Sequence, residues 1–266
     1  MTALDYVVIL AYFAATTTIA LALAGKQTSL RDFFLGNRNV PWWLASFSGI
    51  ATIVSGASYL GGPGVAYKGD YTLLQYRLAL PLAIFVLCFV LLPFFYRLQV
   101  YSIYEYLERR FDPRVRTAAS GLFVLLKTAY LAIVIYTPAL VLSQVTGMSV
   151  LAIVLATGLV TTAYTLIGGL RAVVWTDALQ LFVLAGGLGF ALFLITRGVD
   201  GGLAAVIDKA DAAGKMRYFN FSVSLAEPYT LVGCVLGGTF LMIAQFGADQ
   251  TEMQRFLSTA SLRRAG

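Results

Sequence analysis

Histidine is absent from all 266 residues of the chain. Nucleophilic catalysis of the Ser-His or Cys-His kind is therefore excluded, as is a histidine-ligated metal. Only two cysteines occur, Cys88 and Cys234, far apart and each inside an apolar run. That excludes a disulfide framework and a CxxC site. Charge is scarce: 12% of residues are Asp, Glu, Lys or Arg, against roughly 25% in soluble domains. With 59% hydrophobic residues, this is the composition of a membrane protein. The net charge of +6 could suggest nucleic acid. No polar domain exists to hold it, and basic loops facing the cytoplasm account for the charge better. No nucleophile–base pair or metal-ligand cluster stands out, so neither an enzyme nor a cofactor is expected. The N-terminal stretch MTALDYVVILAYFAATTTIALALAG has no basic opening segment, so it reads as a retained helix, not a cleaved signal peptide.

What is present is a series of long apolar runs. A bilayer core needs about 20 apolar residues per helix. Seven segments meet that, at 5–24, 41–66, 74–96, 117–146, 149–168, 172–196 and 229–250. The expectation is one all-α transmembrane domain over residues 1–266, with an outer loop at 197–227. If the N-terminus lies outside, the inner loops carry Lys26, Arg31, Arg38, Arg97, Arg109, Arg110, Arg114, Arg116, Arg171, Arg255, Arg263 and Arg264, twelve of the nineteen basic residues. Basic residues concentrate on the cytoplasmic side. The chain is thus expected in the cell membrane, multi-pass, with the N-terminus outside and the C-terminus cytoplasmic. VDGGLAAVIDKADAAG and SIYEYLERRF each have the pattern of a short surface helix.

The second run is apolar but contains SGASYLGGPG, residues 55–64, with four glycines and a proline. Glycine weakens a helix and Pro63 removes a hydrogen bond. In lipid, freed carbonyls persist only where another group satisfies them or they line a cavity. A helix broken at the midplane can offer them to a cation. Small residues also permit close helix packing, the reading this stretch by itself favours. Ionisable residues inside spans are functional candidates. Asp177 could offer oxygen to a cation, or pair with Arg171, or cap a helix at the interface. Arg77 could bind a carboxylate through its planar fork, or snorkel outward. Lys127 reads as snorkelling inward. Asp249 is expected in a structural polar cluster with Gln250, Gln254 and Arg255.

Three stretches, YEYLERRFDPRVR, YTLIGGLRAVVWTDALQ and GADQTEMQRFLSTASLRRA, occur in that order. Together they resemble the sodium/solute symporter family, over nearly the whole chain. The resemblance implies a LeuT-like fold, an extra first helix followed by two inverted repeats of five helices. It implies sodium as coupling ion, with the carbonyls of Ala51 and Val54 in the sodium site and Asp177 on the sodium pathway. Laid beside the bacterial sodium/galactose members, their sugar-contacting positions fall on Ala57, Ser58 and Arg77, so the sugar ligands are replaced. YLAIVIYTPALVLSQVTG and GGPGVAYKGD resemble instead the branch that carries monocarboxylates, iodide and vitamins. The implied solute is a small organic anion such as a monocarboxylate, and its implied contacts are Ser58, Tyr76, Arg77, Tyr130 and Gln245.

Members of the family have about twelve or more helices, and this chain is expected to end after its seventh, with the remainder of the transporter missing. The implied function is sodium-coupled symport by alternating access, with Na+, a small solute and the lipid bilayer as partners and no nucleic acid. The alternatives are a transporter-like sensor module and an inactive fragment.

Overall fold

The computed structural model describes residues 2–23, 29–224 and 226–261. Lys26, Arg263 and Arg264, counted above among the inner cations, lie outside the described residues. The helices are α1 (Ala3–Leu23), α2 (Leu30–Leu35), α3 (Trp42–Ile53), α4 (Gly56–Lys68), α5 (Leu80–Val86), α6 (Leu92–Leu98), α7 (Ile103–Arg110), α8 (Pro113–Thr146), α9 (Val150–Gly198), α10 (Gly202–Ala212), α11 (Leu231–Ala248) and α12 (Gln250–Leu257). A 3-10 segment, Thr72–Ala79, leads into α5, and a π turn, Leu87–Leu91, joins α5 to α6. Pro93 has no N–H for the carbonyl one turn back, and its ring crowds that carbonyl, so the widened turn sits where a regular one would clash. Among the described residues five helical stretches are long and apolar enough to cross a bilayer, or six if the broken pair α3–α4 counts as one span.

Two compact units form, one from Met1–Tyr59, Phe95–Leu181 and Gln250–Gly266, the other from Leu60–Phe94 and Phe182–Asp249. In the first unit, Val40, Leu44 and Ala45 pack on Leu170, Val174 and Ala178, and Ala20 packs on Tyr164 and Ala172. Both clusters depend on the pair Gly168–Gly169. A Cβ on Gly168 would lie 2.2 Å from the Ala172 Cβ and 3.4 Å from the Ala20 carbonyl oxygen. Gly169 takes φ 56° and ψ −161°, a region open to glycine alone. Where the sequence suggests a short loop between two spans, one non-helical residue turns the chain. Helix α8 starts at Asp112, whose carboxylate accepts from the Arg114 and Val115 N–H groups, with Pro113 in the first turn. Its 34 residues reach about 50 Å, well beyond a hydrocarbon core of about 30 Å. Ser102 caps α7, the helix expected at SIYEYLERRF. Val40 and Thr259 form a bridge in which the Val40 N–H donates to the Ser258 carbonyl at 3.3 Å. It ties the segment after α12 to the start of α3.

In the second unit, α11 lies along residues 72–91. Gly238 sits against Ala79 and Gly247 against Leu91. Gln75, 2% exposed, organises the segment before α11. Its amide donates to the Thr72 and Tyr229 carbonyls and its oxygen accepts from the Asn220 N–H at 3.0 Å. Asn220 and Ser222 both donate to Glu227, at 3.1 and 2.7 Å. The Tyr71 N–H donates to the Arg217 carbonyl, and the Tyr71 and Tyr218 rings stack at 5.2 Å. Thus much of the long connection after α10 is ordered by hydrogen bonds that begin at one buried amide.

Candidate functional site

Helix α3 ends at Ile53, and Val54 is extended at φ −86°, ψ 111°. In an uninterrupted helix the Ser55 N–H would donate to the Ala51 carbonyl, and the Ser58 N–H to that of Val54. Both donors are diverted. The Ser55 N–H donates to Ser58 Oγ at 2.8 Å, and the Ser58 N–H donates to Ser55 Oγ at 3.3 Å. Ser58 Oγ in turn donates to the Ser55 carbonyl at 2.9 Å. This reciprocal arrangement starts α4 as a capping box does, with serine at both ends. Its consequence is electrostatic: two main-chain carbonyls, of Ala51 and Val54, lose their usual i+4 donors at the break. Carbonyl oxygens in that condition are hard ligands suited to a hard cation.

A second polar centre stands one turn back along α3. Ser48 is fully buried and donates to Asp177 Oδ2 at 2.5 Å. Arg255, from α12, donates through Nη2 to the same Oδ2 at 3.1 Å and through Nε to Ser48 Oγ at 2.7 Å. Its Nη1 donates to the Thr251 carbonyl at 2.5 Å. The Arg255 and Asp177 side chains are 8% and 13% exposed. Arg171, one of the partners considered for Asp177, pairs with Asp32 at 3.1 Å instead. Asp177 is thus neither an interfacial cap nor paired within its own helix.

The remaining expected residues fall as follows. Ser58 is exposed and engaged with Ser55. Tyr130 is 46% exposed on α8, with the Lys127 ammonium 5.3 Å from its ring centre and 5.8 Å from that of Phe123. Ser58 and Tyr130 belong to the first unit, with Ala51, Val54 and Asp177. Tyr76, Arg77 and Gln245 belong to the second. There the exposed Arg77 guanidinium lies 4.7 Å from the centre of the half-buried Tyr76 ring, and Gln245 is exposed on α11. Of the residues expected to cluster with Asp249, Gln250 accepts from the Ile103 N–H, Gln254 donates to the Phe34 carbonyl, and Arg255 donates to Asp177. Each anchors a different neighbour of α12.

Sequence reasoning missed Ser48, Ser55 and the partnership of Arg255. Serines at 55 and 58 flanking a helix start are a legible capping pattern. Nothing local marks Ser48 or links Arg255 to a carboxylate 78 residues earlier.

With this geometry in view, comparison with known proteins is direct. The human sodium-coupled monocarboxylate transporter 1 is 35% identical over 262 residues, which is 97% of this chain and 42% of that protein. The human sodium/iodide cotransporter is 34% identical over 266 residues, 98% of this chain and 41% of its own length. The chain therefore spans less than half the length of the curated relatives it matches. A solved Na+-coupled sialic acid symporter, in a substrate-bound outward-open state, superposes with a TM-score of 0.92 at 31% identity. That match covers 98% of this chain and 55% of the symporter chain. The fold is accordingly the LeuT-like transporter fold of a multi-pass membrane protein, and the relatives are transporters rather than enzymes. The model of the sodium:solute symporter family matches residues 33–265, and the chain belongs to that family.

Proposed function

We propose that this protein takes part in sodium-coupled symport of a small organic anion, such as a monocarboxylate, by alternating access. The observation that carries the reading is the broken helix, where Ser55 and Ser58 divert the donors that would otherwise occupy the Ala51 and Val54 carbonyls. Those oxygens serve as part of a Na+ site, and Asp177 lies on the route between that site and the cytoplasm. Ser58, Tyr76, Arg77, Tyr130 and Gln245 are the proposed solute contacts, with Arg77 supplying positive charge for an anion. Similarity to a monocarboxylate carrier and to an iodide carrier supports an anionic solute. Seven spans with an external N-terminus and a cytoplasmic C-terminus complete the proposal, supported by the distribution of basic residues. Binding of Na+ raises solute affinity, and by linkage the solute raises Na+ affinity by the same factor.

The test is uptake of a labelled monocarboxylate into proteoliposomes with and without an inward Na+ gradient. It is run on this chain and on the open reading frame that contains it. Sodium-driven accumulation by the product of the whole reading frame is expected, with Arg77→Gln raising the KM for anionic solutes. Uptake by that well-folded product that ignores the gradient would overturn the sodium coupling.

A further inference from the structure

We propose that Arg255 is a built-in counter-cation that competes with Na+ for Asp177, and so sets the sodium affinity of the carrier and permits its sodium-free return. The inference rests on the sodium-pathway reading of Asp177 and adds a role for a second residue acting through it.

The geometry distinguishes this pair from a simple structural salt bridge. Asp177 uses one oxygen twice: Oδ2 accepts from both Ser48 Oγ and Arg255 Nη2. Among the described residues no donor reaches Oδ1. A carboxylate held wholly for structure is better satisfied by a bidentate fork, with one N–H to each oxygen. Here the guanidinium is turned. Its Nε goes to Ser48 and its Nη1 to the Thr251 carbonyl, leaving a single N–H for the carboxylate. Arg255 thus has two anchors that do not involve Asp177, and it can yield the carboxylate without losing them. Ser48 is the pivot, accepting from Arg255 while donating to Asp177.

Charge supplies the reason for exchange. Asp177 and Arg255 together are neutral in a buried setting. A Na+ ion at Oδ1 adds a positive charge beside the guanidinium, and repulsion at that distance is strong where water is scarce. Na+ and the full Arg255 contact therefore exclude one another. When Na+ leaves, a bare carboxylate inside the membrane is costly, and Arg255 neutralises it again. Ser48 lies three residues before Ala51 on α3, so the exchange is felt on the same helix that carries the broken-helix carbonyls.

The experiment uses the full reading frame in proteoliposomes. It measures the Na+ half-saturation of uptake, and compares net uptake with solute exchange at saturating Na+ on both sides. Exchange needs no sodium-free return, whereas net uptake does. Arg255→Gln is expected to lower the Na+ half-saturation about tenfold, a coupling of ordinary size, and to depress net uptake while exchange persists. Arg255→Lys, which keeps the charge, is expected to restore net uptake. Asp177→Asn combined with Arg255→Gln removes both charges, and is expected to recover net uptake relative to Arg255→Gln while losing the gain in Na+ affinity. If Arg255→Gln does not reach the membrane, Ser48→Ala replaces it: it frees Nε to join Nη2 at the carboxylate, and a raised Na+ half-saturation is expected. An unchanged or raised half-saturation in Arg255→Gln, or an unchanged or lowered one in Ser48→Ala, alongside a raised one in Asp177→Asn, overturns the competition and leaves the sodium pathway standing. Sodium dependence unaffected by Asp177→Asn overturns the pathway reading itself, and this inference with it.

Discussion

Removing the Ser58 hydroxyl tests the origin of the broken helix most directly. Ser58→Ala deletes the acceptor of the Ser55 N–H at 2.8 Å and the donor to the Ser55 carbonyl at 2.9 Å. Hydrogen bonds of this kind contribute about 0.5–1.5 kcal/mol net, with an average near 0.6 kcal/mol between membrane helices. Losing two therefore costs about 1 kcal/mol of the broken conformation. The released Ser55 N–H then turns to the Ala51 carbonyl, its ordinary helical acceptor, and competes there with Na+. One kcal/mol corresponds to about a fivefold change in an equilibrium constant. The Na+ half-saturation of uptake should rise by that factor in Ser58→Ala. Ser55→Ala removes one bond, from the Ser58 N–H at 3.3 Å, and should raise it about threefold through Val54, at about 0.6 kcal/mol. The double variant should cost less than the sum, because each hydroxyl serves the other. Threonine at either site keeps the hydroxyl and should restore sodium affinity. The assay is sodium-dependent uptake at fixed solute, with solute KM measured separately. Since Ser58 is also a proposed solute contact, Ser55→Ala is the decisive variant. If it leaves the Na+ half-saturation unchanged, the hydroxyl pair does not hold the carbonyls open and the reasoning fails.

Other predictions concern the scaffold. Gly168→Ala places a Cβ 2.2 Å from that of Ala172, and Gly169→Ala forces an L-residue to φ 56°. Each should cost about 1–3 kcal/mol, visible as a lower thermal unfolding midpoint in detergent, and a midpoint unchanged in both would refute the packing argument. Gln75→Leu strands the Asn220 N–H and the Tyr229 carbonyl. It should cost about 2 kcal/mol and expose residues 213–230 to protease, whereas an equally resistant loop would show that Gln75 does not hold it. Hydrogen bonds from Ser222 and then Asn220 hold the Glu227 carboxyl below its ordinary value. A depressed folded-state pKa stabilises above the ordinary carboxylate range and is lost as pH falls through the folded value. Hydrogen exchange in this loop should therefore be flat from neutral pH down to that range, after correction for the intrinsic pH dependence. It should quicken below, and Glu227→Gln should abolish the change.

The membrane class was settled by composition, because a bilayer demands long apolar runs and tolerates few charges. That the second run is interrupted was legible, but not where or why: Gly61, Gly62, Pro63 and Gly64 lie inside α4, and the chain breaks earlier, at Val54, where the serine pair starts the new helix. The short helices α7 and α10 could also be read, since amphipathic periodicity is a pattern within a few residues. What sequence left open was every choice between partners distant in the chain. Asp177 could pair with Arg171 in its own segment, but the fold brings Arg255 to it, 78 residues away, and gives Arg171 to Asp32. Among the polar residues after α11, Gln250, Gln254 and Arg255 each reach a different distant neighbour, Ile103, Phe34 and Asp177, which no local pattern marked. Gln75 carried no mark in an apolar run, and its importance comes from Asn220, 145 residues on. The physical reason is the same in each case. Burial in lipid and backbone geometry act residue by residue and leave a periodic trace, whereas the electrostatic role of a side chain depends on which charge and which donor packing brings within about 3 Å of it.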